Sequence, residues 1–153
     1  MNFMFVVNDL DFGKAWVSAE DIANTLLDAG VWLYSPTTPN VRNISAGDTV
    51  LLYMAGKGRR YFCASFEIAG EVTAAMPDLT GHVGELLTNV FSLSSPITGI
   101  ERWATRVHAK PIRHDLEFIT DKKNWGLHFR QSTKVMSDHD YNRIQQERRA
   151  LSS

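Results

Sequence analysis

The sequence predicts an α+β domain, a small mixed barrel of five or six strands with helices at its periphery. Three observations carry that expectation. The stretch from Gly47 to Val72 reads as a long hairpin. A well-capped helix lies between Ser18 and Gly30. The other apolar runs are short and flank the helices irregularly, without the strand–helix–strand rhythm of a doubly wound sheet.

The hairpin is the organising element. Val50, Leu51, Leu52 and Tyr53 are β-formers with little alternation, which predicts a strand buried on both faces. Its partner alternates, so that Phe62, Ala64, Phe66 and Ile68 share one face. Between them Gly56-Lys57-Gly58-Arg59 is the turn, with the glycines supplying positive φ. Gly47-Asp48 launches the first strand.

In chain order, Phe3 to Val7 is a short, wholly apolar strand, closed by Asn8-Asp9. Ser18 caps a helix with Asp21 three residues on, and Ile22, Ala23, Leu26 and Leu27 form its apolar stripe. Gly30 ends it. Val31 to Tyr34 is a strand, the two prolines at 36 and 39 mark a loop, and Val41 to Ile44 is a brief strand or turn. Residues 76–100 read as loop around one short helix from His82 to Asn89, with Ser94-Ser95-Pro96 in the loop and the whole segment on the surface near a site. Glu101 to Ile112 alternates as a strand, with Trp103, Thr105, Val107 and Ala109 on one face and Pro111 at its end. Arg113 to Ile119 is a turn or one helical turn that points Leu116, Phe118 and Ile119 inward. A polar turn, the apolar run Trp125 to Phe129 and the polar run Arg130 to Thr133 follow. Ser137 caps a last helix with Tyr141 and Ile144 inward. The domain is expected over residues 1–145, with a charged, frayed tail over 146–153.

A chain of 153 residues makes one domain with a core that needs no staples. Its single cysteine, Cys63, excludes an internal disulfide and fits a reducing cytoplasm; within a core strand it reads as an inert thiol. No apolar run approaches the ~20 residues of a membrane span, so no membrane partner is expected. Net charge is −1, but residues 1–100 carry −5 and residues 101–153 carry +4, which allows a basic face toward the C-terminus.

No catalytic or metal-binding pattern is present. The histidines at 82, 108, 114, 128 and 139 never fall four apart on a helix and have no cysteine companion. There is no nucleophile elbow and no phosphate loop, since Gly56-x-Gly58 has no helix after it. No cofactor is implied. His114, Asp115 and Glu117 read as a solvated turn. What remains is a set of amides and aromatics at strand ends, Asn8 and Trp32 first among them. An amide reads a base edge and an indole stacks on a base, although Trp32 alone reads as readily as core.

Across nearly its whole length the chain resembles the EVE domain, a member of the PUA-like group that includes YTH and ASCH domains. The matching pieces are FMFVVN at the start, GVW at 30–32, SAGDTVLLYMAG at 45–56, FCASFEIAGEV at 62–72 and LEFITDKKNWGLHFRQSTKVMSDHDYNRI at 116–144. The resemblance implies a PUA-like β-pseudobarrel of about six strands and a pocket for one modified base. It implies Trp32 as an aromatic cage wall and Asn8 as a contact to the base. Arg130 would face a phosphate, with Gln131 where the related YTH readers have an acid. That departure turns the expectation toward methylated cytosine as well as methylated adenine. Ser132 completes the expected pocket, and Lys134 and Lys14 the phosphate contacts. Phe91 is the candidate second wall, with Met76 and Trp103 as alternatives.

The function expected is non-catalytic binding of DNA or RNA that carries a flipped or unpaired, modified base. A separate nuclease or other effector protein would act on the bound site. Three other classes stay open: a nucleoside or small-molecule sensor, an RNA-processing enzyme, and an accessory subunit of a restriction or RNA-processing system.

Overall fold

The computed structural model describes residues 1–13 and 15–152. Eight strands and four α-helices follow one another as β1 (Asn2–Val7), β2 (Leu10–Asp11), β3 (Trp16–Val17), α1 (Ala19–Ala29), β4 (Val31–Tyr34), β5 (Thr49–Met54), β6 (Tyr61–Ile68), α2 (Gly81–Val90), β7 (Leu93–His108), α3 (Ala109–Ile112), β8 (Thr133–Met136) and α4 (Asp138–Ser152). Six strands form one mixed sheet in the order β4-β7-β6-β5-β1-β8, and β2 and β3 form a small ribbon. The sheet curls into a half-barrel, so that Phe5 of β1 reaches Trp32 and Tyr34 of β4, with ring centroids 5.8 and 5.9 Å apart. This is the α+β pseudobarrel that the sequence predicts.

The predicted hairpin lies at the centre. Residues 50–53 are each at most 1 % exposed, as a strand covered on both faces requires. Strand β1 pairs with β5 in parallel, Phe3 beside Val50 through Val7 beside Met54. The turn has Gly56 at φ 112° and Gly58 at φ 84°, and Arg60 is also left-handed at φ 68°. A Cβ at Gly56 would collide with the Arg59 guanidinium. That side chain folds back to donate to Asp9 at 2.9 Å and Glu20 at 2.5 Å, which ties the hairpin tip to the end of β1 and to α1.

Two cores result, one on each side of the sheet. The first joins α1 and β4 to Phe3, Phe5, Val50, Leu52, Phe66 and Ile68. The second gathers Met4, Leu51, Tyr53, Phe62, Trp103, Phe129 and Ile144. Phe62 corrects the expected alternation. The ladder runs Leu52 to Ala64 but then Tyr53 to Phe62, so Cys63 is an extra residue. That bulge turns Phe62 to the opposite face from Ala64, Phe66 and Ile68.

Helix α1 forms as its sequence dictates. Ser18 Oγ accepts the Asp21 N–H at 3.1 Å, and Gly30 closes the helix at φ 70°. Strand β7 departs from expectation at both ends. It begins at Leu93, and its first four residues pair with β4 before it continues beside β6. Ser94-Ser95-Pro96, expected as loop, is strand because neighbouring segments satisfy its polar groups. Ser95 Oγ meets the Tyr34 hydroxyl at 2.9 Å, and Ser94 pairs with Thr73. Pro96, which lacks an N–H, falls where the strand changes partners. At the other end β7 stops at His108, and Pro111 lies in the single turn of α3, where a missing N–H costs nothing.

Strand β8 was not legible. It is a short edge strand whose Thr and Lys give no apolar signal, held by antiparallel pairing of Phe5 with Thr133 and Asn2 with Met136. Helix α4 runs through Ser152. Arg148 lies 4.6 Å from the Trp103 ring centroid and pairs with Glu101 at 2.9 Å. Among the described residues no helix is long and apolar enough to cross a membrane.

Two measurements check this packing. Asp140, 1 % exposed, accepts the N–H groups of Glu117 at 2.7 Å and Phe118 at 3.0 Å. Asp140→Ala leaves both donors unpaired, and denaturant titration is expected to show a loss of about 2–4 kcal/mol. Burial pushes the Cys63 thiol up to about 11, so the thiolate is scarce at neutral pH. Alkylation of the native protein is expected to be slow at pH 7.5 and to accelerate in denaturant.

Candidate base-binding cavity

Parallel pairing of β1 and β5 brings their carboxyl ends, Val7-Asn8 and Met54-Ala55, to one edge of the sheet. Strand β8 runs antiparallel to β1, so its amino end, Ser132-Thr133, arrives at the same edge. A cavity of about 720 Å³ opens there, within the range of small-molecule sites. Val7 and Asn8 line it from the end of β1, Leu10 from β2, and Trp32, Leu33 and Tyr34 from β4. Ile22 and Leu26 of α1 contribute apolar wall. The hairpin turn contributes Ala55, Gly56 and Arg60. The segment before β8 supplies Trp125, Leu127, Phe129 and Arg130.

That last segment is a 3-10 helix over Trp125–Phe129. Phe129 stacks on Tyr53 with centroids 4.2 Å apart and planes 23° from parallel, and Trp125 meets Phe129 edge-on at 5.9 Å. These contacts fix the segment against the sheet and set Trp125 as an aromatic wall. The Arg60 guanidinium lies over that indole, 5.6 Å from its centroid.

Trp32 is 6 % exposed and packs against Phe66 at 5.4 Å and Phe5 at 5.8 Å. It is a core residue whose remaining surface borders the cavity. Of the other expected residues, Asn8, Phe91, Arg130 and Ser132 line the same cavity. Asn8 accepts the Asp9 N–H through its side-chain carbonyl at 2.9 Å, which leaves its NH₂ as a donor. Phe91, half-buried, follows the last turn of α2.

The fold does not deliver the rest of the set. Gln131, between two lining residues, is exposed and outside the lining. Lys134 stands opposite Met4, and its Nζ lies 5.2 Å from the Phe118 ring centroid. Partial burial there lowers its ammonium from the usual lysine range. It is turned from the cavity because Thr133 takes the inward position on that strand. Lys14 lies outside the described residues. Met76 packs beside the first core, and Trp103 donates to Ser65 Oγ at 3.2 Å within the sheet; neither lines the cavity.

Comparison with solved structures identifies the architecture. A protein from Leishmania major is 14 % identical, with TM-score 0.62, over 99 % of this chain and 96 % of that one. Human THYN1, an EVE-domain protein solved in complex with DNA containing 5-methylcytosine, is 10 % identical, with TM-score 0.60, over 96 % of each chain. The YTH domain of Zygosaccharomyces rouxii MRB1, solved with N6-methyladenosine RNA, is 13 % identical, with TM-score 0.56, over 96 % of this chain and 86 % of that one. The fold is that of the EVE and YTH domains. No family model and no curated protein matches the sequence, so the likeness is one of fold.

On this EVE/YTH-like scaffold the described charged residues that line the cavity are all basic. Arg60, Lys123 and Arg130 line it, and among the described residues no Asp or Glu does. None of the three has an ion-pair partner among the described residues. Burial raises the phenols of Tyr34 and Tyr53, so both stay neutral. The sequence showed aromatics and cations here, but Arg60, Lys123 and Trp125 were not singled out. The one local signal was a tryptophan directly after a polar turn.

The cavity edge is held by the Asp9–Arg59 contact. Arg59 donates to Asp9 and keeps that carboxyl below the usual carboxylate range. A folded value below the unfolded one means stability that is complete above pH ~4 and lost as pH falls through the folded value. Asp9→Asn is expected to lower the melting temperature near neutrality. The difference from wild type should shrink toward zero in melts taken below pH ~4.

Proposed function

We propose that this chain is a non-catalytic nucleic-acid-binding module that accommodates one flipped or unpaired, modified base in the cavity between Trp32 and Trp125. The observation that carries this reading is the pairing of aromatic walls with three lining cations that make no ion pair among the described residues. Aromatic walls favour a flat heterocycle, and cations at the same opening favour the phosphates attached to it. Solved neighbours of the same fold hold DNA with 5-methylcytosine or RNA with N6-methyladenosine, which supports a methylated cytosine or adenine as the ligand.

The energetics are consistent. Taking a base out of its stack costs a few kcal/mol, least where it is already unpaired. Stacking against Trp125 and the exposed part of Trp32 returns about 1–3 kcal/mol. A methyl group seated against Ile22, Leu26 or Leu127 adds about 0.8 kcal/mol. The Asn8 NH₂ donates to an acceptor on the base edge, and Arg130 and Lys123 hold flanking phosphates.

Fluorescence anisotropy with single strands carrying cytosine, 5-methylcytosine, adenine or N6-methyladenine tests this. One methylated strand is expected to bind more tightly than its unmodified parent. Trp125→Ala should weaken that strand about 10-fold or more, with the fold checked by circular dichroism. The logarithm of affinity should fall with the logarithm of salt at a slope of about −1.4, reduced toward about −0.7 by Arg130→Ala. Equal affinity for modified and unmodified strands overturns the reading. Tight binding of free nucleosides without salt dependence would assign the cavity to a small-molecule sensor.

A further inference from the structure

We infer that the cavity selects modified bases that remain electrically neutral and rejects those whose modification leaves a positive charge on the ring. This rests on the base-binding reading above and narrows its ligand class.

Alkylated bases divide into two chemical kinds. A methyl group on carbon, or on an exocyclic amine, leaves the ring neutral. A methyl group on a ring nitrogen that already has its full valence leaves a cation at neutral pH. Aromatic walls alone favour the cation, because a ring quadrupole attracts positive charge. A site for cations therefore needs its aromatic faces free and gains further from a nearby carboxylate.

This cavity has the opposite arrangement. The Trp125 indole already faces a cation, the Arg60 guanidinium 5.6 Å from its centroid. Lys123 and Arg130 line the same space, and among the described residues no Asp or Glu does. The phenols of Tyr34 and Tyr53 supply no negative charge, since burial raises both. The backbone that carries Arg60 is also held in place. Its N–H donates to the Met54 carbonyl at 2.9 Å, and its carbonyl accepts the Ala109 N–H at 3.2 Å. A cationic base entering beside Trp125 would meet like charge in the position where a cage for cations has none. For one pair of like charges ~6 Å apart at an effective dielectric constant of ~20, Coulomb's law gives a penalty of roughly 100-fold. Solvent reaches these side chains, so about 10-fold is the expected remainder after screening. A neutral methylated base incurs no such penalty.

Isomers make the test. Two single strands of one sequence, carrying 5-methylcytosine or N3-methylcytosine, contain the same base and the same added carbon, and only the second is charged. N6-methyladenine and N1-methyladenine form a matching pair. In anisotropy titrations of the full chain at pH 7.5 the neutral isomer is expected to bind at least 10-fold more tightly. The N3 and N1 methyl groups also block a hydrogen-bonding edge, so the ratio is measured again in Arg60→Gln and Arg130→Gln. Removing one cation should narrow it several-fold, and added salt should narrow it in the wild type. Equal or tighter binding of the charged isomers overturns the inference. A ratio unmoved by both substitutions and by salt also overturns it, because exclusion would then be steric. If 5-methylcytosine and N6-methyladenine bind no better than their parents, the base-binding reading itself fails, and the inference with it.

Discussion

The parallel ladder between the first strand and the strand after Gly47-Asp48 is the constraint on which the rest depends. It joins residues 2–7 to residues 49–54 with every inward side chain buried on one face or the other. Parallel strands need both faces covered, and this pair has a different core on each side. Parallel direction also decides the site. It carries Asn8 and Ala55 to the same edge, where the sheet ladder ends and the backbone turns away. Antiparallel pairing of the same two strands would have placed them at opposite ends.

Around that edge, the residues that hold the fold together also line the cavity. Trp32 closes the half-barrel against Phe5 and Phe66 and also borders the cavity. Phe129 fills the second core against Tyr53 while it fixes the 3-10 segment that presents Trp125. Arg59 and Arg60 divide the hairpin tip between them. Arg59 turns inward to Asp9 and Glu20 as a clamp, and Arg60 turns over Trp125. The reversal follows from the left-handed backbone at Gly58 and Arg60. A site built on strand ends and a clamped turn loses little entropy on binding a flat ligand, because its walls are already held.

Charge in this molecule is organised by the fold and scarcely at all by composition. A net charge of −1 gives no indication of a nucleic-acid partner. The −5 and +4 of the two chain segments hint at a basic C-terminal face, yet one of the three cavity cations, Arg60, comes from the acidic segment. Much of the C-terminal charge is spent elsewhere. Arg148 pairs with Glu101, Arg143 with Asp115 and Glu147, and Lys134 lies over Phe118. What distinguishes the cavity is that no Asp or Glu lines it and its three cations make no ion pair among the described residues.

Local chemistry was legible in the sequence. The Ser18 cap, the stripe of α1, the Gly30 stop and the doubly buried run at 50–53 are each set by near neighbours in the chain, and each formed as read. So did the hairpin turn, whose glycines are required by its backbone. Tertiary structure alone decided the rest. The bulge at Cys63 moves Phe62 to the second core, a change of face that alternation cannot show. Strand β8 and the first part of β7 exist because distant strands complete their hydrogen bonds, although Thr133, Ser94 and Pro96 give no strand signal of their own. The cavity set was part-legible for the same reason. Asn8 and Trp32 stood out by position in their own elements, whereas Arg60 and Trp125 meet across 65 residues of chain. No local pattern records that meeting, because it is fixed by how far the sheet curls.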